Sequence, residues 1–343
     1  MKKVLLTGSS GYIGKHILLQ LLNQGYEVRA SVRSISKSQE VRDAVTPRLI
    51  DKTSLENRLT FVELDLEKDA GWDVALEGID ILMHTASPFP IASPKDENEL
   101  IRPAVEGTFR ALKAAHQAGV KRVILTSSNA AVYGCDLPEG KYAYDESLWT
   151  DVNHPIGRVA YTKSKTLAER AAWEFIQSEA PEIELTTINP VLVLGAPLDS
   201  KFGSSISVIE RILKGKDPML PDLRFPIVDV RDVARMHVEA INISETIGER
   251  ILASSETISF VEIAKYLKSL YPKSKTKTMQ APTFLIKFLS NFDGEIKAVL
   301  PLLGKPMITS NEKARMIFKI SFIPAKVSVK DSADFLIENG FIS

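Results

Sequence analysis

Cysteine is nearly absent from this chain: among 343 residues only Cys135 carries a thiol. One cysteine closes no internal disulfide, which excludes a disulfide-built scaffold and makes a reducing compartment, the cytoplasm, the expected location. The five histidines, His16, His84, His116, His154 and His237, stand at no ligand spacing from cysteine or carboxylate. No metal site is therefore expected. Net charge is lacking too. The 43 Lys and Arg balance 43 Asp and Glu, removing the bulk field that would recruit nucleic acid or a membrane surface. No apolar run approaches the roughly 20 residues of a membrane-spanning helix, and the apolar stretch at Val4 stops at Thr7-Gly8, too early for a signal peptide. What remains is ordinary globular composition, 44% hydrophobic and 25% charged. It suits one large domain or two modest ones, as a soluble monomer or homodimer.

Strands and helices alternate in the first half. Apolar runs at 4–6, 26–32, 59–64, 79–84, 120–126 and 183–189 read as buried strands, and 12–22, 72–76, 97–118 and 158–178 as helices. That alternation predicts a Rossmann-type α/β fold, a doubly wound parallel sheet covered on both faces. Pro103 falls inside the third helix, where it removes a hydrogen bond and is expected to kink it.

Between the first strand and first helix lies Thr7-Gly8-Ser9-Ser10-Gly11-Tyr12-Ile13-Gly14. Gly8 permits a tight turn, Gly11 lets a diphosphate approach the backbone, and Gly14 allows helix to pack closely on strand, with the helix N-terminus facing the anion. The second strand runs into Arg33 with no carboxylate before Glu40. An acidic residue there would grip a ribose 2′-hydroxyl, whereas arginine accommodates a 2′-phosphate, so NADP(H) is expected over NAD. Lys37 adds a possible second charge. Asp65-Leu66, after the third strand, would sit beside the adenine, although a helix cap is an equal reading of Asp65.

Tyr161 and Lys165 are four residues apart, hence on one face of a helix. A cation held beside a phenol lowers a pKa that is ordinarily about 10, as a tyrosine acid/base requires near neutral pH.

With these motifs go His84-Thr85-Ala86-Ser87-Pro88-Phe89, Pro103-Ala104-Val105-Glu106-Gly107-Thr108, Leu125-Thr126-Ser127-Ser128, Asp145-Glu146-Ser147-Leu148-Trp149, Asn189-Pro190 and Val228-Asp229-Val230-Arg231-Asp232. Over nearly its whole length the chain resembles the extended short-chain dehydrogenase/reductases, within them the dihydroflavonol 4-reductase-like and methylglyoxal reductase-like subfamily. The resemblance implies that Tyr161 donates a proton, that Lys165 holds the nicotinamide ribose, and that Ser128 bonds the substrate carbonyl, with Ser127 as the one-residue alternative. It further implies that Thr85, Ala86 and Ser87 line the cofactor and that Pro190, Val191, Leu192 and Val193, with Ser205, approach the nicotinamide. Dehydratases of the group resemble Thr-Asp-Glu where this chain has Ser128-Asn129-Ala130, and epimerases usually carry an acid where Arg33 stands.

The second half is less legible. Helices are expected at 205–213, 260–270, 284–289 and 330–338, with Asp229 as a helix cap, Pro221 and Pro226 bracketing an irregular segment, and Phe284, Phe288 and Phe292 packed in the core at helical spacing. Residues 1–190 and about 226–258 form the expected NADP-binding domain; about 191–225 and 259–343 form a smaller, mostly helical substrate-binding region. Tyr133 and Pro226 fall where flavonoid enzymes grip a catechol, and proline offers no donor, so a flavonoid is not expected. Phe89, Tyr133 and Phe202 instead suggest an apolar pocket for aldehydes or ketones. The expected activity is NADPH-dependent carbonyl reduction. A steroid-type or cinnamoyl-CoA oxidoreductase is the enzymatic alternative, and an NADP(H)-binding sensor the alternative of another class.

Overall fold

A computed structural model describes residues 2–53, 55–87, 96–292 and 294–342. The chain runs β1 (Lys3–Thr7), α1 (Tyr12–Asn23), β2 (Glu27–Val32), α2 (Ser38–Val45), α3 (Leu55–Arg58), β3 (Leu59–Glu63), α4 (Trp72–Leu76), β4 (Ile81–His84), α5 (Asn98–Gln117), β5 (Arg122–Thr126), α6 (Ala160–Ser178) and β6 (Glu184–Pro190). It continues through β7 (Leu192–Leu194), α7 (Ser204–Leu213), β8 (Arg224–Asp229), α8 (Val230–Glu239), β9 (Arg250–Ala253), β10 (Glu256–Ser259), α9 (Phe260–Leu270), α10 (Thr283–Leu289), α11 (Gly294–Val299), α12 (Glu312–Phe318) and α13 (Ala325–Glu338).

Seven strands form one sheet in the order β3-β2-β1-β4-β5-β6-β9, every pair parallel. Parallel strands are buried on both faces, which is why they read as unbroken apolar runs such as Val4-Leu5-Leu6. Alternate residues feed two cores. Val4 and Leu6 enter one with Ile17, Leu21, Val230 and Val233, while Leu5 and Leu82 enter the other with Trp72, Leu112 and Phe175. Strand order reverses between β1 and β4, the crevice where open α/β sheets bind ligands at the carboxyl ends of their strands. α5 runs unbroken through Pro103.

The smaller region holds a sheet as well as helices, an addition to the mostly helical expectation. β8 pairs parallel with β7 and antiparallel with β10. The expected boundary at residue 226 therefore cuts through β8, and Pro226 is a strand residue opposite Thr257 rather than the end of an irregular segment. β7 joins β8 only from Ile227 onward, so the missing Pro226 N–H falls where that neighbour is absent. Asp229 caps α8, accepting from the Arg231 N–H at 2.9 Å. The core placement of Phe284, Phe288 and Phe292 is overturned: they are 75%, 60% and 77% exposed. α10 turns only Ile286 inward among its described side chains.

Candidate active site

The glycine turn has the shape its spacing predicts. Gly8 adopts φ +70°, and a Cβ there would meet Ala86 N at 2.7 Å; a Cβ on Gly14 would meet Gly8 O at 2.2 Å. Gly11 stands at the N-cap of α1, with no side-chain cap and no acidic residue in the first turn. The helix thus opens with uncapped N–H groups and a positive dipole end at the carboxyl edge of β1, a fit for a diphosphate. Thr7, buried, ties β1 to β4: its Oγ1 accepts from the Thr85 and Ala86 N–H groups at 3.2 Å each and lies 2.8 Å from His84 Nδ1. With both lone pairs taken, Thr7 donates to Nδ1, so the neutral ring carries its hydrogen on Nε2. Burial, then the Lys165 charge, lowers the His84 pKa to about 4.

The Tyr12 phenol donates to Gly195 O at 2.8 Å, which fastens the loop after β7 onto α1. Ser10, in the turn, and Ile13, in the first turn of α1, are both half-buried. Arg33 is exposed at the end of β2, and among the described residues it makes no hydrogen bond or ion pair. The Glu67 N–H bond, then Lys68 and last the Arg33 charge, holds Asp65 below the usual carboxylate range. Lys37 is 3.7 Å from Glu40. Asp65 accepts from the Glu67 N–H at 3.1 Å and so builds the turn after β3. Leu66 packs against Gly107 of α5.

Tyr161 and Lys165 lie in the first turns of α6, and Ser128 in the loop after β5. The Tyr161 phenol shares a hydrogen bond with Ser128. Ser128 Oγ also accepts from the Ala130 N–H at 3.2 Å. The adjacent serine points elsewhere, Ser127 Oγ donating to Glu169 Oε2 at 2.5 Å. Lys165 Nζ donates to Ser87 Oγ at 2.8 Å and lies 5.8 Å from the Tyr161 ring centroid.

Lys165 does not lower the tyrosine here, contrary to expectation. Burial pushes the phenol up to about 12, the Ser128 bond partly opposing it and the Tyr133 phenol reinforcing it. Burial also lowers Lys165 to about 8, with Glu169 opposing. The cause is direction: the ammonium is spent on Ser87, and withdrawal from water outweighs a cation held to the side.

Beneath this cluster lies a polar network that sequence reasoning missed. Glu169, 1% exposed, accepts from Arg250 Nε at 2.6 Å through Oε1 and from Asn189 Nδ2 at 2.6 Å through Oε2. Asn189 Nδ2 also reaches Ser128 O at 3.1 Å. Arg250 donates to Glu146 O and Leu148 O and lies over the Trp149 ring, 3.6 Å from its centroid. A signal for Glu169 was present, since Tyr161, Lys165 and Glu169 recur every fourth residue on one helix face. Arg250 has none, being far off in sequence.

The pocket residues divide. Tyr133 is hydrogen-bonded to Thr162 and close enough to raise the Tyr161 pKa. Phe202 is half-buried, its ring packed edge-on to Phe341 and Phe335, centroids 5.1 and 6.2 Å away. Pro226 is buried in β8. Pro190 closes β6, Val191 and Val193 are buried, Leu192 is half-buried in β7, and Ser205 sits half-buried in the first turn of α7. Phe89 lies outside the described residues. No group of metal-ligating side chains occurs among the described residues.

A profile of the NAD dependent epimerase/dehydratase family matches residues 4–252. A ketoreductase of Aspergillus niger is 31% identical over 355 aligned positions, spanning 98% of each chain. A cinnamoyl-CoA reductase of Medicago truncatula is 31% identical, covering 98% of this chain and 96% of that one. Among solved structures, yeast methylglyoxal/isovaleraldehyde reductase complexed with NADPH is similar with a TM-score of 0.80 at 26% identity, over 99% of this chain and 100% of that one. By its glycine cradle, its seven-stranded parallel sheet and these full-length likenesses, the chain belongs to the NAD dependent epimerase/dehydratase family, the extended short-chain dehydrogenase/reductases.

Proposed function

We propose that this chain is an NADPH-dependent reductase that converts the carbonyl of an aldehyde or ketone to an alcohol. The observation that carries the reading is Tyr161, bonded to Ser128 with Lys165 one turn on, at the carboxyl edge of the sheet. The named reductases among the relatives support the activity, and the NADPH complex of the yeast enzyme supports the cofactor.

In this reading the turn from Thr7 to Gly14 receives the diphosphate on uncapped N–H groups. Arg33, exposed and without an ion pair among the described residues, receives the 2′-phosphate, Lys37 standing nearby. Bound NADPH supplies the hydride. Ser128 donates to the carbonyl oxygen and fixes it beside Tyr161. A phenol held near 12 stays protonated through the neutral range, and gives its proton to an oxygen that becomes far more basic as the carbonyl is reduced. Lys165 and Ser87 orient the ribose. The domain division follows: residues 1–190 with α8 and β9 bind the cofactor, and the smaller sheet with the C-terminal helices covers the substrate.

The test is NADPH oxidation against a panel of aldehydes, ketones and acyl-CoA thioesters. Turnover on aldehydes or ketones is expected. Tight NADPH binding with no turnover on any of them would leave a nucleotide sensor and overturn the proposal.

A further inference from the structure

The zero net charge of the whole chain conceals a strong local imbalance. Residues 265–305 hold eight lysines and no arginine against only Asp293 and Glu295, so this stretch is +6 and the rest of the chain −6. Lys273, Lys275, Lys277, Lys287, Lys297 and Lys305 are all exposed, and among the described residues none is in an ion pair. Lysines on neighbouring parts of the surface behave differently: Lys313 is held by Glu249 at 2.7 Å and Lys330 by Asp334 at 2.5 Å.

Interleaved with these cations is the apolar set that fails to enter the core. Phe284, Phe288 and Phe292 follow one another at four-residue steps, 60–77% exposed, and the Phe288 and Phe292 rings touch at 5.4 Å between centroids. Met279, just before α10, is 63% exposed. The segment leading to it is anchored, with Leu220 N–H bonded to Met279 O at 2.9 Å and Ala281 N–H to Leu220 O at 2.7 Å. Burial alternates along it: Thr276 and Ala281 turn inward, while Lys275, Lys277 and Met279 face solvent. Ile286 and Ser290 hold α10 down from its inner side. Large apolar rings, and ammonium groups without an ion pair among the described residues, are thus presented outward.

We propose that this face docks on an anionic lipid surface, the phenylalanines entering the boundary between headgroups and acyl chains and the lysines contacting the headgroups. Apolar rings flanked by lysine, without the length to span, are the features of an interfacial anchor, and each lysine near an anionic leaflet strengthens binding about fivefold. No helix among the described residues is long and apolar enough to cross a membrane, so the contact is peripheral. A second copy of this chain is disfavoured as the occupant, because a two-fold contact through this face would bring one +6 stretch against its twin. The proposal is independent of the carbonyl chemistry.

Sedimentation of the full-length chain with vesicles tests it. Retention is expected on phosphatidylcholine vesicles containing about 30% phosphatidylserine, falling with added salt, and not on phosphatidylcholine alone. Combined Lys273→Gln, Lys275→Gln and Lys277→Gln should weaken retention about a hundredfold. Combined Phe284→Ser, Phe288→Ser and Phe292→Ser should abolish it while melting temperature and NADPH binding hold, since these side chains are exposed. Absence of wild-type retention on the anionic vesicles overturns the proposal. So does retention that survives the phenylalanine changes, which would be charge adsorption alone. A fall from dimer to monomer in the phenylalanine variant without vesicle binding would assign the face to a second copy and overturn it equally.

Discussion

Ser127 donates to Glu169 at 2.5 Å, and this bond joins the loop carrying Ser128 to the helix carrying Tyr161 and Lys165. Neighbouring serines thereby take different partners, one beneath the cluster and one within it. The same carboxylate faces the Arg250 guanidinium at 2.6 Å, where a lost charge leaves its partner buried and uncompensated. Glu169→Gln should cost about 3–5 kcal/mol of stability. Thermal unfolding checks this, and Glu169→Gln combined with Arg250→Met should recover part of the loss in a double-mutant cycle.

Tyr161→Phe keeps the ring and removes the transferable proton. Reductase activity should fall on the order of a hundredfold or more with NADPH affinity nearly unchanged. Activity within a few-fold of wild type would remove Tyr161 from the proton-donor role.

The two serines separate by readout. Ser128→Ala should lower kcat on the order of ten- to a hundredfold and leave the melting temperature close to wild type, because it deletes a bond to the reacting oxygen. Ser127→Ala should act mainly on stability, because the buried Glu169 carboxylate loses one of its hydrogen bonds while Asn189 and Arg250 still donate to it. The reverse pattern would transfer the substrate role to Ser127.

pH dependence follows from Lys165, lowered to about 8. Its charged form is present below that value and lost as pH rises through it, so kcat/KM for reduction should decline on the basic side with a midpoint near 8. Tyr161, at about 12, adds no second decline in the same range. A profile flat to pH 10 would show that the lysine charge is not required.

Asp232 provides a stability test away from the site. Burial, with Asp229 nearby, raises its pKa to about 6, and it accepts from the Ile323 N–H at 2.7 Å. The folded state then holds the proton more firmly than the unfolded chain, so stability falls as pH rises from about 4 to about 6, by up to about 3 kcal/mol. Asp232→Asn keeps an acceptor without the charge. It should raise the melting temperature at pH 7.5 and give no gain at pH 4; an equal gain at both would exclude the titration as cause.

Much of the cofactor half was legible because its signals are local. The G-x-x-G-x-x-G turn, the apolar period of α1 and the Tyr161–Lys165 step each act within one element, so neighbouring residues suffice to read them. β7, β8 and β10 were not legible. They run three to six residues, and β8 is defined by pairing with Thr257 and Leu192 rather than by its own pattern. Phe284, Phe288 and Phe292 misled for the same reason: helical spacing shows that side chains share a face, not that another element covers it.

By itself the sequence determined the parallel α/β architecture, the anion-binding turn and the residue types available for reduction, because backbone conformation and helical spacing are local properties. Tertiary structure decided which serine meets Tyr161, where the Lys165 ammonium points, that burial raises the phenol, and that Glu169 meets Arg250 from 81 positions away. Those outcomes depend on desolvation and on distances between elements, which exist only once the sheet and its helices have packed.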